Sequence, residues 1–274
     1  MSLTSLATAF FFAIIPALGW LTLYYIKDKK DPEPKKIILK TFFVGIAMGF
    51  PFLFLRYVMT WVDLSSIFFG GAMSMILFAI LEEIAKLSAA ILVVTHHKQE
   101  FNQLIDGVIY AVTAALGFAF MENLFYFSSY LSSASSLSQF FQITAFRSLG
   151  TMFAHTLFSG LAGLIWAYAY FSKQISPFNK KHLLAFELKD WFNREILTLH
   201  IIRQNILKAH PSRRGGHEKK VLVLEGIVLA TFLHILFNIT TTLQVFGKNL
   251  TFLLVPASGW VFVRFLFIHK KTEY

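Results

Sequence analysis

Apolar residues run along this chain in long unbroken stretches, and polar residues gather in short clusters between them. Seven stretches, at about 6–26, 37–58, 68–94, 104–127, 140–171, 221–246 and 250–268, are each long enough to cross a bilayer as a helix. In lipid the backbone must satisfy its own hydrogen bonds, so the pattern predicts an all-α polytopic membrane helix bundle of about seven transmembrane helices. Pro16 predicts a kink in the first helix, and Gly45 and Gly49 in the second have the GxxxG spacing that lets helices approach closely. The fifth stretch is longer than one straight crossing requires. Residues 27–36, with Pro32 and Pro34, form a charged turn that cannot be helix interior, and the serine-rich 128–138 reads as a linker. The first stretch lacks a small-residue cleavage site, so it is expected to stay as a helix rather than be removed as a signal peptide. Three units result: 1–171 with helices one to five, 172–220 as a basic cytoplasmic insert, and 221–274 with helices six and seven. In the insert, Leu183, Phe186, Trp191 and Ile202 interleave with Lys189, Arg194 and Arg203 at roughly helical spacing, which predicts an amphipathic helix on the inner leaflet.

Charge sets the orientation. The 274 residues are 56% hydrophobic and 15% charged, with a formal net charge of +10. Twenty of the twenty-five lysines and arginines fall in alternate loops, around 27–40, 98, 173–220 and 270–271, whereas the opposite loops hold Lys248 alone. The positive-inside rule therefore places the N-terminus outside and the C-terminus in the cytoplasm. It also assigns the basic excess to anionic lipid headgroups, so no nucleic-acid partner is expected. With no cysteine in the chain, disulfides, thiolate metal sites and a cysteine nucleophile are excluded.

Against that background the third stretch is anomalous. Glu82, Glu83 and Lys86 sit in its middle, and at membrane depth each costs roughly 2.5–3.5 kcal/mol before compensation. Lys86 is three residues from Glu83 and four from Glu82, so one ammonium can reach either carboxylate. One cation against two acids leaves a carboxyl in excess, as a general base or acid requires. Further polar residues lie within the other stretches: Glu122 and Asn123 in the fourth, Arg147, His155 and Ser159 in the fifth, His234 and Asn238 in the sixth. At 1.5 Å per residue, Glu82, Glu122, His155 and His234 all fall very roughly 10–22 Å from the outer end. Ser159 and Asn238 each lie four residues after a histidine, where a polar neighbour can fix the ring tautomer. Each residue has a plainer reading: a packed histidine, an ion pair that only stabilises, a snorkelling Arg147, or an Asp106 that compensates a helix dipole. Convergence of carboxylates and imidazoles from four helices favours chemistry.

The same residues carry a resemblance. Glu82-Glu83-Ile84-Ala85-Lys86 resembles the EExxK motif of the PrsW family of intramembrane proteases, and Phe118 to Glu122 is similar to its FxxxE motif, with Asn123 following. Asp106-Gly107-Val108-Ile109-Tyr110 resembles the opening of that helix, and His155 with Ser159 and His234 with Asn238 match its two histidine positions. The turn up to Pro34 fits the family's usual first loop. A more distant similarity is to the CAAX-protease/bacteriocin-processing superfamily. The insert 172–220 departs from the pattern. The resemblance implies a multi-pass enzyme of the bacterial plasma membrane that hydrolyses a peptide bond of a single-span membrane protein, and the family is associated with cleavage of membrane-anchored anti-sigma factors.

Without a cysteine or a recognisable serine motif, activated water is the expected nucleophile. In one version Glu82 or Glu83 takes its proton while His155 and His234 hold the water or the oxyanion. In the other, His155, His234 and one glutamate ligate zinc and another glutamate is the base, with Glu122 available. The absence of HExxH tips the expectation to the metal-free version, with Lys86, Asn123, Ser159, Asn238 and Arg147 in support. A proton-coupled transporter or a non-catalytic membrane scaffold are the rival readings. The first would usually show an internal repeat, which this chain lacks, and the second has no need of adjacent glutamates.

Overall fold

The computed structural model describes residues 3–27, 32–61, 70–133, 136–171, 216–242, 244–245 and 248–249. The anticipated insert helix, apart from its last few residues, and the seventh helix both lie outside them. Seven helices are described: α1 (Leu3–Lys27), α2 (Lys35–Trp61), α3 (Gly70–His96), α4 (Leu104–Ser133), α5 (Leu137–Phe146), α6 (Met152–Phe171) and α7 (Gly216–Thr242). A two-residue antiparallel ladder, Gln244–Val245 with Lys248–Asn249, follows α7. Five segments are long and apolar enough to cross a membrane: Leu3–Ile26, Lys35–Met59, Leu104–Leu131, Leu137–Phe171 and Lys219–Thr241. Helix α3, with 27 residues, matches them in length but carries the three mid-helix charges.

Helix α4 is the axis of the bundle. It packs against α1, α2, α3 and α6, while α3 and α6 also both reach α7. Its small residues explain this position. Lipid tails supply no hydrophobic force between helices, so backbone approach and van der Waals contact must do the work. A Cβ on Gly117 would land on the Phe42 carbonyl oxygen, and one on Gly45 on the Ala114 carbonyl, both inside 3.0 Å. Gly107 and Gly163 face each other's carbonyls in the same way and join α4 to α6. Gly45 and Gly117 thus close the seam of α4 with α2, and Gly107 and Gly163 its seam with α6. Neither backbone can retreat without opening the bundle, so Gly117→Ala is expected to cost on the order of 2 kcal/mol or more in a reversible micelle unfolding titration.

The ends of α4 differ from the sequence expectation in one respect. The serine-rich stretch is mostly helix: α4 continues through Ser133, and α5 begins at Leu137 with Ser136 as its cap, accepting from the Gln139 N–H at 3.2 Å. A serine hydroxyl inside a membrane helix can satisfy itself on the preceding turn, as Ser128 does on the Leu124 carbonyl at 2.6 Å. At the other end Asp106 does more than offset a dipole. Its buried carboxylate accepts from the Asn102 and Gln103 N–H groups at 2.8 and 2.6 Å, a capping-box arrangement that fixes where α4 starts. Phe101 then stacks on Trp166 at 4.6 Å and pins the α3–α4 connection to the end of α6.

The excess length of the fifth stretch also resolves. Between α5 and α6, residues Arg147–Thr151 form a π-helical turn. Such turns insert an extra residue and re-aim side chains, often at functional sites. Trp20 of α1 donates to the Ser148 carbonyl at 2.9 Å and holds the turn in place. Pro16 and Pro51 both sit inside continuous helices.

Candidate active site

Adjacent residues on a helix point about 100° apart, and on α3 this separates the two glutamates. Glu83 turns toward Lys86, with Nζ to Oε1 at 2.5 Å across one turn. Lys86 is wholly buried, at 0% exposure, and lies 5.7 Å above the Phe118 ring. The same Glu83 Oε1 meets His234 Nδ1 at 2.8 Å, and Glu83 Oε2 accepts from the Ser159 hydroxyl at 3.4 Å. Glu83 is therefore the internal anchor of the site, and of the two glutamates it is the one that pairs with Lys86. The sequence left Lys86 free to choose either carboxylate; the three-residue spacing wins here.

Glu82 points elsewhere. Its Oε2 is buried without a hydrogen-bond donor and lies 3.7 Å from His234 Nε2, beyond hydrogen-bond length. It lines a cavity of about 310 Å³ together with Glu122, His155, His234, Arg147 and Asn238. Glu83 and Lys86 stand behind that wall.

Glu122, on α4, is held from two sides. His155 Nε2 lies 3.1 Å from its Oε2, and Arg147 Nη2 3.2 Å from the same oxygen. Arg147 also donates from Nε to Asn123 Oδ1 at 2.6 Å, with its guanidinium 3.8 Å from the Tyr126 ring centre. It is an ion-pair residue of the site and does not snorkel. The π-turn aims it there.

The expected tautomer partners prove to be different ones. Ser159 serves Glu83, and the ring nitrogens of His155 meet Lys86 Nζ (Nδ1, 3.0 Å) and Glu122 (Nε2). Charged groups make stronger hydrogen bonds than a serine hydroxyl, so they take the ring. Asn238 lines the cavity below His234. Two aromatic partners went unnoticed in the sequence. Phe158 stacks on His234 at 5.7 Å and 29°, and Tyr126 receives Arg147. Tyr126 follows Glu122 by four residues, so its face was readable; nothing distinguishes Phe158 among 32 phenylalanines.

Glu82, Glu122 and His155 offer ligand atoms all within 4.8 Å of one another. This set differs from the two-histidine set expected from the sequence. Two carboxylates and an imidazole suit zinc, and a buried Glu82 oxygen with no donor is the kind of atom a cation would satisfy.

Comparison with known proteins agrees with the motif pattern. Residues 33–197 match the family model described as PrsW family intramembrane metalloprotease. "Protease PrsW" of Oceanobacillus iheyensis is 30% identical over 201 residues, covering 73% of this chain and 82% of that protein. "Protease PrsW" of Geobacillus kaustophilus is 28% identical over 159 residues, 58% of this chain and 65% of that protein. The Bacillus subtilis "Protease PrsW" is 33% identical over 115 residues, 41% of this chain and 50% of that protein. In the last two cases the chain spans less than two thirds of the relative's length. No solved structure matches.

Proposed function

The chain belongs to the PrsW family of intramembrane proteases, and from that premise we propose that it hydrolyses a peptide bond of a single-span membrane protein, such as a membrane-anchored anti-sigma factor. One observation carries the reading: Glu82, Glu122, His155 and His234, from four helices and each buried, border one cavity. Glu82 is the cavity carboxylate whose buried Oε2 has no hydrogen-bond donor, and we assign it the proton of the attacking water. Glu83 has no such freedom, being occupied by Lys86, His234 and Ser159. It orients His234, while Arg147 holds Glu122 and its own position through Asn123 and Tyr126. Phe158 and Phe237 supply apolar wall beside these charged groups.

The donor set favours zinc over the metal-free version. Glu122 and one imidazole would hold the ion beside Glu82, which is left as the base; when bound, the ion would supply Lewis-acid charge and lower the pKa of water to about 7. The rest follows from the chain: Glu82 accepts the proton, and Arg147, which lines the cavity and whose Nη2 is ion-paired with Glu122 but has no hydrogen-bond acceptor, steadies the developing oxyanion.

We further propose that the chain is a seven-helix, multi-pass protein of a bacterial plasma membrane, N-terminus outside and C-terminus cytoplasmic. The basic loops 27–40 and 172–220 would lie against anionic headgroups. Support comes from the skewed lysine and arginine distribution and from the bacterial relatives. The test is purified protein in liposomes with a tagged single-span substrate. Cleavage is expected, lost on zinc chelation and restored by added zinc. Proton flux without cleavage would replace the reading with a transporter, and neither activity would leave a scaffold.

A further inference from the structure

We infer that the two imidazoles of the site are held in opposite tautomers, His155 with its proton on Nε2 and His234 with its proton on Nδ1, and that Lys86 sets the difference. Lys86 forms an ion pair with Glu83 at 2.5 Å, so it is an ammonium, with three donors and no acceptor. It stands 3.0 Å from His155 Nδ1, and that contact is a hydrogen bond only if Nδ1 presents a lone pair. The proton of His155 then sits on Nε2 and donates to Glu122 Oε2 at 3.1 Å. An imidazolium is ruled out there, because it would set two donors face to face.

His234 has the reverse surroundings. Its Nδ1 lies 2.8 Å from Glu83 Oε1, a carboxylate oxygen that only accepts, so Nδ1 carries the proton. Its Nε2 is 3.7 Å from Glu82 Oε2, beyond hydrogen-bond length, so no partner anchors a proton there as Glu83 does on Nδ1. Glu83 is the common hub: one oxygen takes a hydrogen bond from Lys86 and from His234, and through them it dictates both rings.

The two histidines therefore have different work. His155 presents an N–H to the cavity, suited to a carboxylate or to a carbonyl oxygen gaining charge. His234 presents a lone pair, backed by Glu83 in the carboxylate–imidazole arrangement that metal-binding histidines use. If zinc binds, its imidazole ligand is His234 Nε2, 3.7 Å from Glu82 Oε2, and not His155, although His155 Nε2 is the ring nitrogen 3.1 Å from Glu122. Only this last step rests on the proposed hydrolytic reading. Lys86 is a positioning residue that acts through His155.

The experiment is ¹⁵N NMR of the full chain in micelles with ring-labelled histidine. His155→Gln and His234→Gln difference spectra assign the signals. The expected result is an Nε2–H signature for His155 and an Nδ1–H signature for His234. Lys86→Arg should preserve the His155 signature and Lys86→Met should abolish it, leaving His234 unmoved; a lysine that merely balanced Glu83 would leave His155 unchanged. A common tautomer for both rings, or a protonated Nδ1 on His155 in the unsubstituted protein, would overturn the inference whatever the Lys86 variants do. Added zinc should move His234 Nε2 and spare His155 Nε2, and the reverse would overturn it too. If zinc moves neither ring while the tautomers stand as assigned, the inference holds and only the zinc part of the proposed function fails.

Discussion

Glu82→Gln is expected to reduce cleavage of a single-span substrate by at least about 10³-fold, a magnitude typical of losing a general base with its electrostatic contribution, while leaving the unfolding midpoint close to that of the parent. The two halves of this expectation have separate causes. Activity falls because Glu82 is the cavity's one carboxylate with an oxygen that has no hydrogen-bond donor, and an amide neither takes a proton from water nor neutralises a cation. Stability persists because Glu82 is not the partner of Lys86; that ion pair belongs to Glu83. A neutral amide of the same shape also removes the desolvation cost of a buried carboxylate. The measurement is initial cleavage rate in liposomes beside a micelle unfolding curve on the same preparation. A rate within tenfold of the parent would remove Glu82 from the reaction and with it the proposed mechanism.

Much of this architecture could be read from the chain before any coordinate was considered. Stretch length alone marks the membrane helices, since a helix needs about 20 apolar residues to cross, and the described helices match the predicted stretches to within about six residues, the third starting two residues later and the sixth ending four earlier. The gathering of Glu82, Glu122, His155 and His234 was legible too, because charge at membrane depth demands a partner and only other helices can supply it. What the sequence could not tell is which partner each group takes. Glu82 and Glu83 are neighbours in one motif with opposite surroundings, and the division depends on how α3 is rotated against α6 and α7. That rotation is set by packing, not by any local signal. Ser159 shows the same limit. Four residues from His155, it looks like that ring's partner, yet a fixed serine rotamer in a packed interior reaches Glu83 on another helix instead. The serine-rich 128–138 misleads for a different reason: in water these residues favour turns, and in lipid their hydroxyls fold back onto the helix.

Glu83→Gln is expected to fail differently from Glu82→Gln, losing both fold stability and activity. Removing the carboxylate leaves the Lys86 ammonium wholly buried, with His155 Nδ1 as its remaining polar contact. Stripping one partner from a buried ion pair costs about 3–5 kcal/mol, mostly the penalty of the charge left behind. That origin yields a second, more discriminating expectation: Glu83→Gln combined with Lys86→Met should recover most of the lost stability, since a buried pair replaced by neutral groups of similar volume is close to neutral. Activity should not return with it. His234 would still lack the carboxylate that fixes its proton on Nδ1, and His155 would lack the ammonium that keeps its own on Nε2. Unfolding titrations of the four proteins of this cycle, with cleavage rates beside them, separate the two roles. Full stability in Glu83→Gln alone would show that Lys86 is neutral or solvated in the fold. Recovery of cleavage in the double variant would show that the hub formed by Glu83 serves folding only, and that the histidines find their orientation without it.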